Sequence, residues 1–165
     1  MKLHIENVFD ATPQELWDLF NSKEFEDRLE ETSGVRMTTL EENIEGDVEE
    51  RRIECKSKKE LPGFMAKVLG AKHLTYTQIN KLDRSKDKLW WQVIPMAMSD
   101  KVTAEGTTVV TAEGDQSRRV VSGEISVRIP LIGGRIEKVI LGEVEASYQR
   151  AAELAESLIA EQKKG

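Results

Sequence analysis

The side chains able to do chemistry are few in this chain and widely spaced. There are two histidines, His4 and His73, and neither has a second His, Cys or carboxylate three or four residues further on. The spacing of a helical metal site is therefore missing, and neither metal nor cofactor is expected. His4 alternates to the polar side of a strand-like stretch and reads as a solvated residue. His73 follows Lys72 and reads as a surface residue or one tied to loop backbone, not as a general base. Cys55, within RRIEC, has no histidine near it in sequence and reads as a half-buried strand residue, not a nucleophile. The carboxylates Glu137 and Glu143 stand apart, because both fall at the edges of an apolar stripe from which an interior cavity is within reach. Three roles stay open for them: complementing a helix dipole (Glu137), orienting a ligand, or moving a proton. No catalytic residue is assigned.

The element that carries those carboxylates is a long helix beginning near Gly133 or Gly134, in LIGGRIEKVILGEVEASYQRAAELAESLIAEQKK. Ile136, Ile140, Val144, Tyr148, Ala151, Ala155 and Leu158 recur at helical spacing, with Lys138, Glu145, Gln149, Glu153 and Glu156 on the other side, so the helix should lie on a sheet. Gly142 costs about 1 kcal/mol in a helix interior and suggests close packing or a bend there. The sheet is foreshadowed upstream. KLHIENVF reads as a first strand. ATPQELWDLF then reads as a helix with Thr12 as N-cap, Pro13 at its first position and Glu15 closing a capping box. A second short helix follows, capped by Ser22 and ending before Gly34. From Val35 to about Ile129, strand-length segments alternate with Gly, Asp, Asn and Ser turns, the pattern of a meander. Val121, Ile125, Val127 and Ile129 alternate with polar residues. Val102, Ala104, Gly106, Thr108, Val110 and Ala112 form a side of small residues that leaves volume in front of it, filled by large side chains from elsewhere or left as a cavity. Of the adjacent Trp90 and Trp91, the grouping with Leu89 and Val93 turns Trp91 inward, toward Tyr148 and Tyr76.

The segment LPGFMAKVLG, residues 61–70, places Phe64, Met65, Val68 and Leu69 on one side of a short helix that starts after Pro62 and stops at Gly70. Leaving them in water would forfeit roughly 1.5–3 kcal/mol each, so they must cover something. They read as a plug in the open end of the sheet or as a lid that moves for a ligand. Lys56, Lys58, Lys59, Lys67 and Lys72 surround the segment, a pattern suited to transient contact with an anionic membrane.

At 165 residues, 39% hydrophobic, the chain fits one domain over 1–165 with a core of its own. The formal net charge of -6 argues against nucleic acid as a partner. One cysteine and a first segment without an apolar run point to a cytoplasmic protein, and no stretch is apolar for the ~20 residues that cross a bilayer. A monomer or weak dimer is expected.

The order strand, two short helices, antiparallel meander and long last helix resembles the START-like or birch-pollen-allergen-like (SRPBCC) superfamily, an α+β helix-grip fold. Two stretches carry the resemblance: FDATPQELWDLFNSKEFEDRL, and VRIPLIGGRIEKVILGEVEASYQRAAELAESL. The second is similar to the ending of a bacterial family of unknown function in that superfamily, with Pro130, Gly133, Gly134 and Glu137 at the matching positions. The resemblance implies a curved antiparallel sheet wrapped around the last helix, with a cavity between them for a lipid or another apolar molecule. It does not imply one activity. LEENIEGDVEE departs from the glycine-rich loop of plant members, which argues against phosphate binding there.

The expectation is thus a binder or carrier of a lipid-like small molecule, lidded by residues 61–70. Its site would be formed by Phe64, Met65, Leu69, Tyr76, Trp91, Val121, Ile125, Val127, Ile140, Val144 and Tyr148, with Glu137 or Glu143 at a polar end. The alternatives are a cyclase or dehydratase using a cavity carboxylate, and a co-chaperone-like protein-interaction module.

Overall fold

The computed structural model describes residues 1–164. In chain order the elements are β1 (Lys2–Phe9), α1 (Pro13–Phe20), α2 (Lys23–Ser33), β2 (Val35–Glu45), β3 (Val48–Glu60), α3 (Gly63–Leu69), β4 (His73–Asp83), β5 (Lys88–Pro95), β6 (Val102–Glu113), β7 (Gln116–Val127) and α4 (Gly133–Lys164). The local signals act where they were read. Thr12 accepts from the Glu15 N–H while the Glu15 carboxylate accepts from the Thr12 N–H at 3.1 Å, closing the capping box of α1. Ser22 Oγ accepts from the Phe25 N–H at 3.2 Å, and α2 ends at Gly34 with φ 73°, a left-handed turn suited to glycine.

The seven strands form one sheet in the order β1-β7-β6-β5-β4-β3-β2, every neighbouring pair antiparallel. β1 and β2 are consecutive strands at opposite edges and run in the same direction, so α1 and α2 must carry the chain both across the sheet and from the Phe9 end back to the end where Val35 pairs with Ser57. That second end also holds α3, the 96–101 loop and the start of α4. A register shift between Thr39 and Glu41 helps bend the β2 edge. Helix α4, about 48 Å long at 1.5 Å per residue, crosses the concave face and lies closest to β7, β1 and α2. This is a helix-grip architecture.

The core divides into three layers along α4. At the α1–α2 end, Phe9, Leu16, Trp17, Phe25, Leu82 and Val110 pack against Ala152, Ala155, Leu158 and Ile159. In the middle, Leu3, Trp91 and Val121 meet Leu141, Val144 and Tyr148. At the far end, Met65, Val127 and Ile136 are surrounded by Phe64, Val68, Leu69 and Ile140.

Trp91 does face inward, and Trp90 is partly exposed on the other side. The small residues of β6 are explained by the same ring. Gly106 pairs with Gly123 across β6 and β7, and the Trp91 indole lies on both. A Cβ at either position would come within 2.6 Å of the ring. At this point the volume in front of the small residues is therefore filled by a side chain.

Three expectations are corrected. β7 ends at Val127, and Ile129 already belongs to the connection, where its carbonyl accepts from the Gly133 N–H at 2.9 Å. Ala112 is exposed, because β6 runs beyond the layer that α1 and α2 cover. Gly142 has no neighbour within 4 Å of where a Cβ would stand, so close packing does not account for it.

Candidate functional site

Helix α3 is an excursion between β3 and β4. Its ends are drawn together by the Leu61 N–H, which donates to the Lys72 carbonyl at 2.8 Å, and the β3–β4 register shifts between Lys56 and Glu60. Met65 is the buried centre of the helix, with 2% exposure, while Phe64, Val68 and Leu69 are half-buried around it. Two contacts fasten this cover to α4: the Arg135 guanidinium sits 3.9 Å from the Phe64 ring centroid, and Lys59 Nζ pairs with Glu143 at 2.7 Å. The first is a cation–π contact.

Between this cover and the α1–α2 end lies the middle of the grip. Strand parity turns Cys55, Tyr76, Gln78, Asn80, Trp91 and Val93 toward α4. Tyr76, Gln78, Asn80, Leu89 and Val93 on the sheet, and Leu141, Val144 and Tyr148 on the helix, are only half-buried although they face one another. Burial nonetheless drives the Tyr76 and Tyr148 hydroxyls well above the ordinary tyrosine range. For Tyr148, the Arg119 cation and Thr108 counter part of that rise.

The floor of this region is set by Arg119, which shares the inward parity of Val121 on β7. It is 4% exposed. Its guanidinium lies 5.1 Å from the Phe9 ring centroid, 4.9 Å from Phe20 and 5.3 Å from Tyr148. Nη2 donates to Asn7 Oδ1 at 2.7 Å, and Nε is buried without a partner. Desolvation pulls its pKa down to about 10. The other buried charge, Glu49, is held by Arg84 at 2.5 Å and Arg51 at 3.6 Å, and the first of these arginines reaches Asp18 on α1. That cluster ties α1 to the sheet.

The residues singled out from sequence fall into groups. Phe64, Met65, Leu69, Val127 and Ile140 meet in the far-end layer, and Trp91, Val121, Val144 and Tyr148 in the middle one. Tyr76 stands near enough to Tyr148 for the Tyr148 hydroxyl to add to the rise at Tyr76. Met65, Val121 and Ile125 are fully packed and offer no surface. The carboxylates differ from expectation. Glu137 accepts from the Val127 N–H at 3.0 Å, so it clamps the end of β7 to the first turn of α4. Glu143 is half-exposed at the rim with Lys59. Neither stands in the middle of the grip. Cys55 is buried, not half-buried, at 1% exposure, and burial pushes its thiol up to about 11. His73 Nδ1 meets the Lys59 carbonyl at 3.2 Å on the surface. Of the five lysines near the cover, Lys56, Lys58 and Lys59 pair with Glu54, Glu30 and Glu143. This weakens the basic patch.

Arg119 and Asn7 were missed by sequence reasoning, and Thr108 was placed on the inward side without a role. The available signal was parity: Arg119 is two residues before Val121, and Asn7 two before the buried Phe9. A cleft of about 380 Å³ also escaped it. β5 and β6 pair as far as Val93 and Ala104 and then separate, β5 staying with β4 and β6 with β7. Val93, Val102, Ala104 and Arg128 line the gap, with Arg128 held by Thr103 Oγ1 at 2.9 Å and the Asp100 carbonyl at 2.7 Å. Among the described residues no group of His, Cys, Asp and Glu is placed to hold a metal ion, and no helix is long and apolar enough to cross a membrane.

Sheet order, the two bridging helices and the gripped α4 define a helix-grip fold. Solved structures agree on the fold. TTHA0849 from Thermus thermophilus is 17% identical with a TM-score of 0.67, the match covering 95% of each chain. Ara h 8.0201 is 11% identical with a TM-score of 0.67, covering 98% of each. Norcoclaurine synthase from Thalictrum flavum is 18% identical with a TM-score of 0.61, covering 98% of this chain and 87% of that one. No curated protein matches the sequence. The chain belongs to the family described as "Protein of unknown function (DUF2505)", whose model matches residues 5–159.

Proposed function

We propose that this protein is one ligand-binding unit that holds an apolar small molecule between the sheet and α4, under the α3 cover. The observation that carries the reading is the half-buried ring of Tyr76, Leu89, Val93, Leu141, Val144 and Tyr148 on mutually facing surfaces, with both hydroxyls desolvated. An interior packed to ordinary density would bury such residues fully. Affinity comes from apolar burial, at about 25 cal/mol per Å² removed from water. Binding and carriage fit better than proton transfer by a helix carboxylate, because Glu137 and Glu143 are engaged elsewhere.

The test is native mass spectrometry of freshly purified protein, followed by organic extraction and refilling with the extracted compound. Ile140 lies where the middle region meets the cover, so Ile140→Trp should abolish refilling while the far-UV circular dichroism spectrum is kept. Refilling at the wild-type level would refute this placement.

A further inference from the structure

Besides the unpartnered Nε1 of Trp91 and Nε of Arg150, Arg119 is the buried charge whose chemistry the proposed apolar ligand leaves unexplained. A buried cation is ordinarily matched by an acid or by hydrogen bonds to all its donors. Here, among the described residues, no carboxylate reaches it. Its one hydrogen bond, from Nη2 to Asn7, is to a neutral amide, and Nε has nothing. Three ring centroids lie 4.9–5.3 Å from its Cζ, and Nε is left unpaired on the N–H edge with which a guanidinium grips a carboxylate by two parallel bonds. Tyr148 joins this edge to the middle of the grip: its ring stacks by Arg119 and also packs with Trp91 and Val121. From there the half-buried Leu89, Val93, Leu141 and Val144, not the fully packed residues of β7, lead toward the cover. At about 3.3 Å per residue, Arg119 and Val127 are about 26 Å apart, enough for an acyl chain or a fused-ring acid to extend away from the arginine.

We propose that the ligand is an amphiphilic acid whose carboxylate pairs with Arg119 at the floor of the grip, beside Asn7 and Tyr148, and whose apolar body points toward α3. This rests on the ligand-binding reading above and adds the head group to it.

The test uses the whole chain and the neutral fluorophore N-phenyl-1-naphthylamine as a reporter of apolar space. The reporter is displaced by dodecanoate or dodecanol, and by 2-naphthoate or 2-naphthol, which separates acyl from aromatic bodies. In the wild type, at least one acid should displace it at concentrations at least tenfold below those of its alcohol, the gain expected of a charge-assisted pair. Arg119→Met should bring that ratio to within twofold, and should melt no lower than wild type without ligand, because it removes a buried charge and keeps the volume. Arg119→Lys should retain a reduced preference, and it decides the matter with the wild-type ratio if the Met variant fails to fold. Equal displacement by acids and alcohols, or an acid preference that survives Arg119→Met, overturns the head-group assignment and leaves apolar binding standing. A reporter that does not bind at all overturns both.

Discussion

Replacing Gly123 with alanine tests whether the Trp91 indole really occupies the space in front of the small residues. A Cβ at Gly123 would lie 2.6 Å from Trp91 Cη2 and Cζ2 and 2.5 Å from the Glu105 carbonyl oxygen. Inserting one methyl group into a packed interior costs about 1–3 kcal/mol. The upper end applies, because one of the opposing atoms belongs to the paired strand β6 and cannot rotate away. Loss of glycine's backbone freedom in the unfolded chain offsets about 0.5–1 kcal/mol. The net cost is about 2 kcal/mol, or a melting temperature lower by about 4–8 °C for a chain of this size. Thermal unfolding of Gly123→Ala should also be measured in a Trp91→Leu background, where the ring clash disappears and the carbonyl clash stays. The cost should fall there by at least about 0.5 kcal/mol, the coupling expected of touching residues. If Gly123→Ala costs less than about 0.5 kcal/mol, or the same in both backgrounds, the ring is not where the packing argument needs it.

Two further predictions concern the buried thiol and the cover. Cys55, raised from 9.0 to about 11, favours the protonated folded state, so its contribution is complete below pH 9 and is lost as pH rises toward 11. Between pH 9 and 10 the wild type should lose about 1 kcal/mol relative to Cys55→Ala in urea unfolding; parallel curves would show that the thiol is not desolvated. The window stops at 10 because Tyr76 and Tyr148 then act in the same direction, while Arg119, lowered to about 10, acts in the opposite one. Arg135→Ala removes the cation–π contact to Phe64, about 0.5–1 kcal/mol at a partly exposed site, and should speed hydrogen exchange of residues 63–69 about two- to fivefold. Unchanged exchange would mean that the Arg135 contact does not hold α3.

Much of this architecture was legible because its signals are local. Thr12, Pro13 and Glu15 start α1 through bonds within a single turn, Gly34 stops α2 through its own φ, and the sidedness of 61–70 follows from four apolar residues at helical spacing. Trp91 could be turned inward by counting in twos. The roles of the carboxylates could not be read in this way. Glu137 is occupied by the backbone of Val127, ten residues earlier on another element, and Glu143 by Lys59, on a strand far away in sequence. Arg119 was hidden for a different reason. An arginine two places before a buried valine looks like the wet end of a strand until β1 supplies Asn7, and α1 and α4 supply Phe20 and Tyr148. Composition ranks arginine as a surface residue, and only the closed fold reveals that its position is inside.

Helix α4 is pinned at both ends and lightly supported between them. Glu137 and Gly133 fix its start to β7, while Ala152, Ala155, Leu158 and Ile159, with the Lys163–Asp10 pair at 2.6 Å, fix its other end to the α1–α2 layer. Mechanically this is a beam on two supports. A load applied from the sheet side at Leu141, Val144 or Tyr148 bows the span instead of tipping the helix. Gly142 lies within that span, exposed and without neighbours, where a helix is softest. For a molecule held there as proposed, the stiffness of these few turns, more than the shape of any single wall, would set how thick it can be before the ends let go.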